Sequence, residues 1–202
     1  MSLWRGQQPL ILASQSHARQ TLLANAGIEF EAVAAEIDER ALQQASGRTS
    51  PGEIAGLLAN EKARSVSIRR PGQLVVGADQ TLALGQDLFT KPAGRVQAAE
   101  QLRILAGRSH ELHSAVAVAR DGAILFEAVE MAVMTMRHLS EPEIEAYLDE
   151  AGAAVRSSVG AYQIEGIGVN LFDRIQGDHF TILGLPLLRL LAFLRAEEML
   201  AL

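Results

Sequence analysis

The chain contains no cysteine. That excludes disulfides, thiolate metal sites and cysteine nucleophiles, and it suits a reducing compartment. Aromatic residues make up only 4%, so aliphatic side chains must form the core. Lysine is almost missing too: of eighteen basic residues only Lys62 and Lys91 are Lys, the rest being Arg. Lysine gives a compact point charge that suits a phosphate, and arginine does not reproduce it in the same space. The other reading is that the two are chance leftovers. Excess positive charge is lacking as well. The net charge is -6, which argues against a general nucleic-acid binder. No long hydrophobic run is present. Residues 182–194 are the longest C-terminal apolar stretch, and Gly184, Pro186 and Arg189 interrupt it, so it is too short to span a bilayer. Residues 1–8 are polar, with no apolar signal region after them. The expectation is a cytoplasmic protein with no membrane partner.

What is present reads as a single α/β domain over residues 1–202, without linker, repeat or low-complexity tract. The length is enough to bury a sizeable core. Residues 9–13 (PLILA) predict a strand. The polar loop Ser14-Gln15-Ser16-His17 follows, then a helix that ends at Gly27. Such a loop can offer N–H groups and hydroxyls to a phosphate, with Arg19 in the first helical turn. A plain N-cap role for Ser16 explains it equally well. Residues 28–34 predict a second strand. The acidic run Glu36-Ile37-Asp38-Glu39-Arg40 reads as a loop, either solvated or able to hold a divalent cation. Ser50-Pro51-Gly52-Glu53 predicts a helix start with a capping box. That helix carries Lys62 at the border of its apolar face.

Residues 74–81 (LVVGADQT) organise the rest. The apolar run stops at Gly77-Ala78 and delivers Asp79 at a strand end, beside Gln80 and Thr81. In open α/β sheets ligands bind beyond strand ends. Gly85-Gln86 turns the chain toward Lys91-Pro92, and residues 95–106 predict a helix. Residues 110–119 and 124–137 predict a long hairpin about Asp121-Gly122. His110 and His113 stand three apart on one strand, so they face opposite ways and make no metal pair. Ser140-Glu141-Pro142-Glu143 opens another capped helix, to Gly152. Residues 157–168 (SSVGAYQIEGIG) form a glycine-rich loop around Tyr162, Gln163 and Glu165. Strands are expected at 169–175 and 180–183, and a last helix from Gly184-Leu185-Pro186 to about Met199. This order predicts an α/β protein: a mixed sheet with flanking helices, in two lobes around a cleft.

Taken in order, these segments resemble the Maf family of nucleoside triphosphate pyrophosphatases. The matching pieces are LILASQSHAR, IDE at 37–39, NEKA at 60–63, VVGADQT, TKP at 90–92, LAGRSHELHSAVAV, HLSEPEIEAYL, GAYQIEGIG and GDHFTILGLPL. The resemblance implies a mixed twisted sheet with a deep cleft, related to inosine triphosphate pyrophosphatases, in a homodimer. It implies hydrolysis of a nucleotide triphosphate substrate to the monophosphate and pyrophosphate, with a divalent metal cation (Mg, Mn or Co). By motif position it makes Asp79 the catalytic carboxylate. Ser14, Arg19, Lys62 and Lys91 fall at phosphate positions, and Glu39 joins Asp79 at the metal. The chemistry agrees, because cations must neutralise the triphosphate while water is positioned in line. The family has also been linked to inhibition of septum formation. A non-catalytic division regulator is therefore the alternative from another class.

Three positions divide the family by base. The group acting on thymidine and uridine triphosphates has Arg, Thr and Gln there; the group resembling 7-methyl-GTP pyrophosphatases has an aromatic residue, Gln and Glu. This chain has Ala18, Gln80 and Glu165, matching the second group at two of three. A carboxylate accepts from guanine N1–H and the N2 amino group together, and N7 methylation strengthens that pairing by adding positive charge. Gln80 can donate and accept, so by itself it suits either base. At Ala18 no ring is available to stack on the base.

Overall fold

The computed structural model describes residues 3–202. The chain forms two compact units. One comprises the chain up to Gln80 with His113–Met131 and Asp178–Leu202; the other comprises Thr81–Leu112 and Ala132–Gly177. Seven strands share a mixed sheet of order β2-β1-β3-β5-β6-β7, with β4 paired to β3. The strands are β1 (Leu10–Leu12), β2 (Phe30–Ala32), β3 (Val75–Leu84), β4 (Asp87–Phe89), β5 (Ser109–Arg120), β6 (Ala123–Met136) and β7 (Phe172–Gln176). The helices are α1 (His17–Asn25), α2 (Glu39–Ser46), α3 (Pro51–Arg69), α4 (Arg95–Leu105), α5 (Glu141–Ala151), α6 (His179–Ile182) and α7 (Leu187–Ala196).

In the first unit β1 pairs in parallel with both β2 and β3. Parallel strands need both faces covered, and their side chains alternate between faces. On one face Leu10, Leu12, Val76, Ala78, Val116 and Val118 pack with Leu22 and Leu23 of α1 and with Leu187, Leu190 and Leu194 of α7. On the other face Ile11 and Val75 meet Val66 of α3. There too Ala115, Ala117 and Ala119 meet Ala55, Ala59 and Ala63, one stripe of α3 at i, i+4 spacing. Small residues on both sides let α3 lie close. At Gly77 the approach is closest: a Cβ there would stand 2.2 Å from the Ala59 carbonyl oxygen and 2.5 Å from the Ala63 nitrogen. A methyl group at this position would force a shift costing about 1–3 kcal/mol.

Gly77 therefore does not end the strand, as its place in the sequence suggested. β3 continues through Asp79 to Leu84, and the glycine is required by the helix lying on it. Three further expectations are corrected. The acidic run at 36–40 opens helix α2, because the Asp38 carboxylate accepts from Ala41 N–H at 2.9 Å as an N-cap. Residues 180–183 belong to helix α6 instead of a strand, since Asp178 caps it by accepting from Thr181 N–H at 3.0 Å. At Ser50 the helix starts where expected with Pro51 at N1, but no side-chain cap bond forms among the described residues.

In the second unit Leu82–Leu84 of β3 pairs antiparallel with β4, and β6 pairs antiparallel with β7. The expected strand at 169–175 begins only at Phe172, after a 3-10 turn at Ile167–Leu171. Buried Leu102, Leu105, Leu112, Met134, Met136, Ile144 and Leu148 form its core. The capping box expected at Ser140 is present. The Glu143 carboxylate accepts from Ser140 N–H at 2.8 Å and from its hydroxyl at 2.6 Å. The β5–β6 hairpin turns at Asp121-Gly122 with φ of 51° and 81°, the positive pair that matches strand twist.

Candidate functional site

Asp79 lies on the α3 face of β3, two residues beyond Gly77 and therefore on the same side of the strand. The close approach of α3 brings Lys62, one residue before Ala63, onto it. Lys62 Nζ stands 2.6 Å from Asp79 Oδ1 and 2.7 Å from Glu39 Oε1. The Asp79 and Lys62 side chains are 11% and 12% exposed, whereas Glu39 is 52% exposed. Glu39, the first residue of α2, is thus the outward member of a carboxylate–ammonium–carboxylate chain. Burial pushes the Asp79 pKa up, the attraction of Lys62 and then Arg19 pulls it down, and the net result lies above the usual carboxylate value.

Arg19, on the first turn of α1, completes the charge set. Its Nε donates to the Gly184 carbonyl at 2.7 Å, and Nη1 donates to the Ala78 carbonyl at 2.9 Å and to Ser14 Oγ at 3.2 Å. Burial lowers the Arg19 pKa, while Asp79 and Glu39 pull it back up. Ser14 Oγ also accepts from Ser16 N–H at 3.3 Å, so the polar loop after β1 is folded around that hydroxyl. Ser16 sits at the N-cap of α1 without a side-chain cap bond among the described residues.

Gln80 points to the opposite sheet face, as the strand period dictates. Its Nε2 donates to Ser114 Oγ at 3.0 Å and to the carbonyls of Thr181 and Ile182 at 3.2 and 3.0 Å. Ala18 is half-buried next to Arg19 on α1. The first unit therefore brings together Ser14, Arg19, Glu39, Lys62 and Asp79, with Gln80 on the adjoining face. Lys91 and Glu165 belong to the second unit, and both are exposed.

Sequence reasoning missed Ser114, Asp178 and Thr181. A signal exists in Asp178-x-x-Thr181, an N-cap spacing, but the run Phe180-Thr181-Ile182-Leu183 fits a strand equally well by local pattern. His110 is buried, as a core histidine, with Nε2 at 2.7 Å from Tyr162 Oη.

Among the described residues, no group of three or more His, Cys, Asp or Glu side chains could hold a metal ion. Asp79 and Glu39 are two oxygen donors already converging on one cation, the Lys62 ammonium. Two carboxylates fit a magnesium-type ion, which takes one or two from the protein and the rest from phosphates and water.

These features define a mixed α/β protein whose buried carboxylate sits among cations that suit an anionic ligand. The chain belongs to the Maf family: the Maf-like protein profile matches residues 9–197. It is 67% identical over 201 residues to a nucleoside triphosphate pyrophosphatase of Bradyrhizobium diazoefficiens, covering 100% of both chains. It is 65% identical to one of Rhodopseudomonas palustris strain BisB18, again over 100% of both. A 7-methyl-GTP pyrophosphatase of Brucella abortus is 50% identical, over 94% of this chain and 96% of its own. A solved HAM1 protein from Coxiella burnetii matches 64% of this chain and 73% of its own at 16% identity. Its TM-score to this chain is 0.42. No helix among the described residues is long and apolar enough to cross a membrane.

Proposed function

We propose that this protein is a nucleoside triphosphate pyrophosphatase, a hydrolase that cleaves between the α- and β-phosphates, and that 7-methyl-GTP is its preferred substrate. The observation that carries the reading is Asp79, buried, raised in pKa and bonded to Lys62 at 2.6 Å. A carboxylate with a raised pKa is better matched to accept a proton near neutrality.

A water oxygen forms a bond to the α-phosphorus as the bond from that phosphorus to the bridging oxygen breaks. Pyrophosphate leaves with the electron pair, and the water proton passes to Asp79 and then to solvent. The triphosphate competes with Asp79 and Glu39 for the Lys62 ammonium. As Lys62 turns to the phosphates, it releases the Asp79 carboxylate, whose oxygens would then be free to hold the cation and orient the water. Arg19, fixed by two backbone carbonyls, supplies positive charge at no ordering cost when substrate arrives. Ser14 and Lys91 are assigned to phosphate contacts by motif position alone. Asp79 and Glu39 would hold a divalent cation (Mg, Mn or Co), and that ion, when bound, supplies charge neutralisation at the phosphates.

The base assignment is supported by Gln80 and Glu165 and by the likeness to the Brucella protein of that name. The test is pyrophosphate release from a panel of canonical and N7-methylated triphosphates with each metal and with chelator. The expected result is release that is fastest with 7-methyl-GTP and abolished by chelator. Release from TTP and UTP alone would refute the guanine assignment.

A further inference from the structure

Helix α6 has no part in the chemistry above, yet its backbone meets two residues of the site. Gln80 Nε2 faces two carbonyls, of Thr181 and Ile182, and Ser114 Oγ. A carbonyl cannot donate, so the reversed amide would set Oε1 against two oxygens; the neighbours dictate which end faces them. Ser114 spends its own proton on the Thr181 carbonyl at 2.6 Å and so meets Nε2 as an acceptor. Ser114 and Thr181 are fully buried. The turn is fixed from below by Asp178, whose Oδ2 accepts from Thr181 N–H at 3.0 Å and from the Thr181 hydroxyl at 3.3 Å. Oε1 lies at the other end of the amide from these carbonyls, on the side of Gly184. A Cβ on Gly184 would stand 3.6 Å from Oε1 and 3.3 Å from Arg19 Nη2.

We propose that Asp178, Thr181 and Ser114 are positioning residues that lock the Gln80 carboxamide as a hydrogen-bond acceptor. The base the site selects is then one that presents adjacent N–H donors, as guanine does at N1 and N2. The proposal rests on the assignment of Gln80 as a residue that faces the base. An unlocked glutamine would adapt to either base by turning its amide. A locked one cannot donate to the carbonyls that flank the N–H of thymine or uracil.

The test compares kcat/KM for GTP, for inosine triphosphate, which lacks only the N2 amino group, and for UTP. It uses the native protein, Gln80→Met and Ser114→Ala, each checked for folding by its melting curve. The native protein is expected to favour GTP over both others. Gln80→Met should cut the GTP-to-UTP ratio about tenfold, chiefly through KM, the loss of one well-placed hydrogen bond. Ser114→Ala keeps Oε1 but loosens the lock, and should cut the ratio about threefold. An equal fall for all three nucleotides in Gln80→Met would mean that Gln80 does not face the base, and the underlying assignment fails. A fall for UTP that spares GTP would keep Gln80 at the base and overturn the acceptor lock. A native preference for UTP, or an unchanged ratio in Ser114→Ala, overturns the lock as well.

Discussion

Asp79 with Lys62, and His110 with Tyr162, are both polar pairs held inside the fold, and they meet the cost of burial in opposite ways. Asp79 keeps charged partners and has the half-exposed Glu39 at the outer end of its chain. His110 has only a phenol. Burial pushes its pKa down to about 4 and pushes that of Tyr162 up, so the pair is neutral at ordinary pH. Its Nδ1 is buried without a hydrogen-bond partner among the described residues. Phe172 packs edge-on to Tyr162, ring centroids 4.7 Å apart. The neutral pair ties β5 to the segment that carries Glu165, and the Tyr162 carbonyl is held in turn by the Ser158 hydroxyl. The difference teaches where to look for chemistry. A buried group that keeps both charge and a route to solvent can exchange protons and partners, whereas one sealed among rings can only anchor.

The largest expected effect is on the charged pair. Lys62→Met should lower kcat/KM about 10²–10³-fold by removing charge from the developing transition state. It also removes the strongest influence that lowers the Asp79 pKa, so the acid limb of the pH–rate profile should move to higher pH. An unmoved limb would separate Asp79 from the rate.

The neutral pair should govern stability instead. The His110 pKa is 6.5 unfolded and about 4 folded, so between these values the unfolded chain binds more protons. Its contribution is complete above pH 6.5 and is lost as the pH falls toward 4, by about 3 kcal/mol in all. Asp79 works in the opposite sense. Its raised folded pKa means that its contribution falls as the pH rises from 3.8 through that value. Urea unfolding across this range should show the loss in the native protein. The same series on His110→Phe should be flatter between pH 6.5 and 4, with about 1–3 kcal/mol lost at pH 7 from the unpaired Tyr162 hydroxyl. An identical slope in both proteins would rule out His110 as the titrating group.

Much of this was legible in the chain. The strand 74–81 with its carboxylate, the helix starting at Pro51, the Asp-Gly hairpin and Lys62, one of two rare lysines, follow from local pattern and composition. What was not legible depends on partners distant in sequence. Gly77 reads as a strand end until α3 is laid on it. Helix α2 buries none of its residues, so no apolar period announced it. Residues 180–183 are a short apolar run that fits strand or helix alike. Ser114 and Thr181 are ordinary hydroxyl residues until β5 and α6 close on Gln80. His110 and Tyr162 lie 52 residues apart.

The central claim is that Asp79 is held in the fold for its chemistry and at some cost to stability. Asp79→Asn tests it in one protein, by the rate of pyrophosphate release from 7-methyl-GTP beside a thermal melt. The account predicts a loss of about 10²–10⁴-fold in kcat, the contribution of a positioned base. The melting temperature should not fall, because the neutral amide escapes the burial cost of the charge. Activity retained within a few-fold of native would contradict the account.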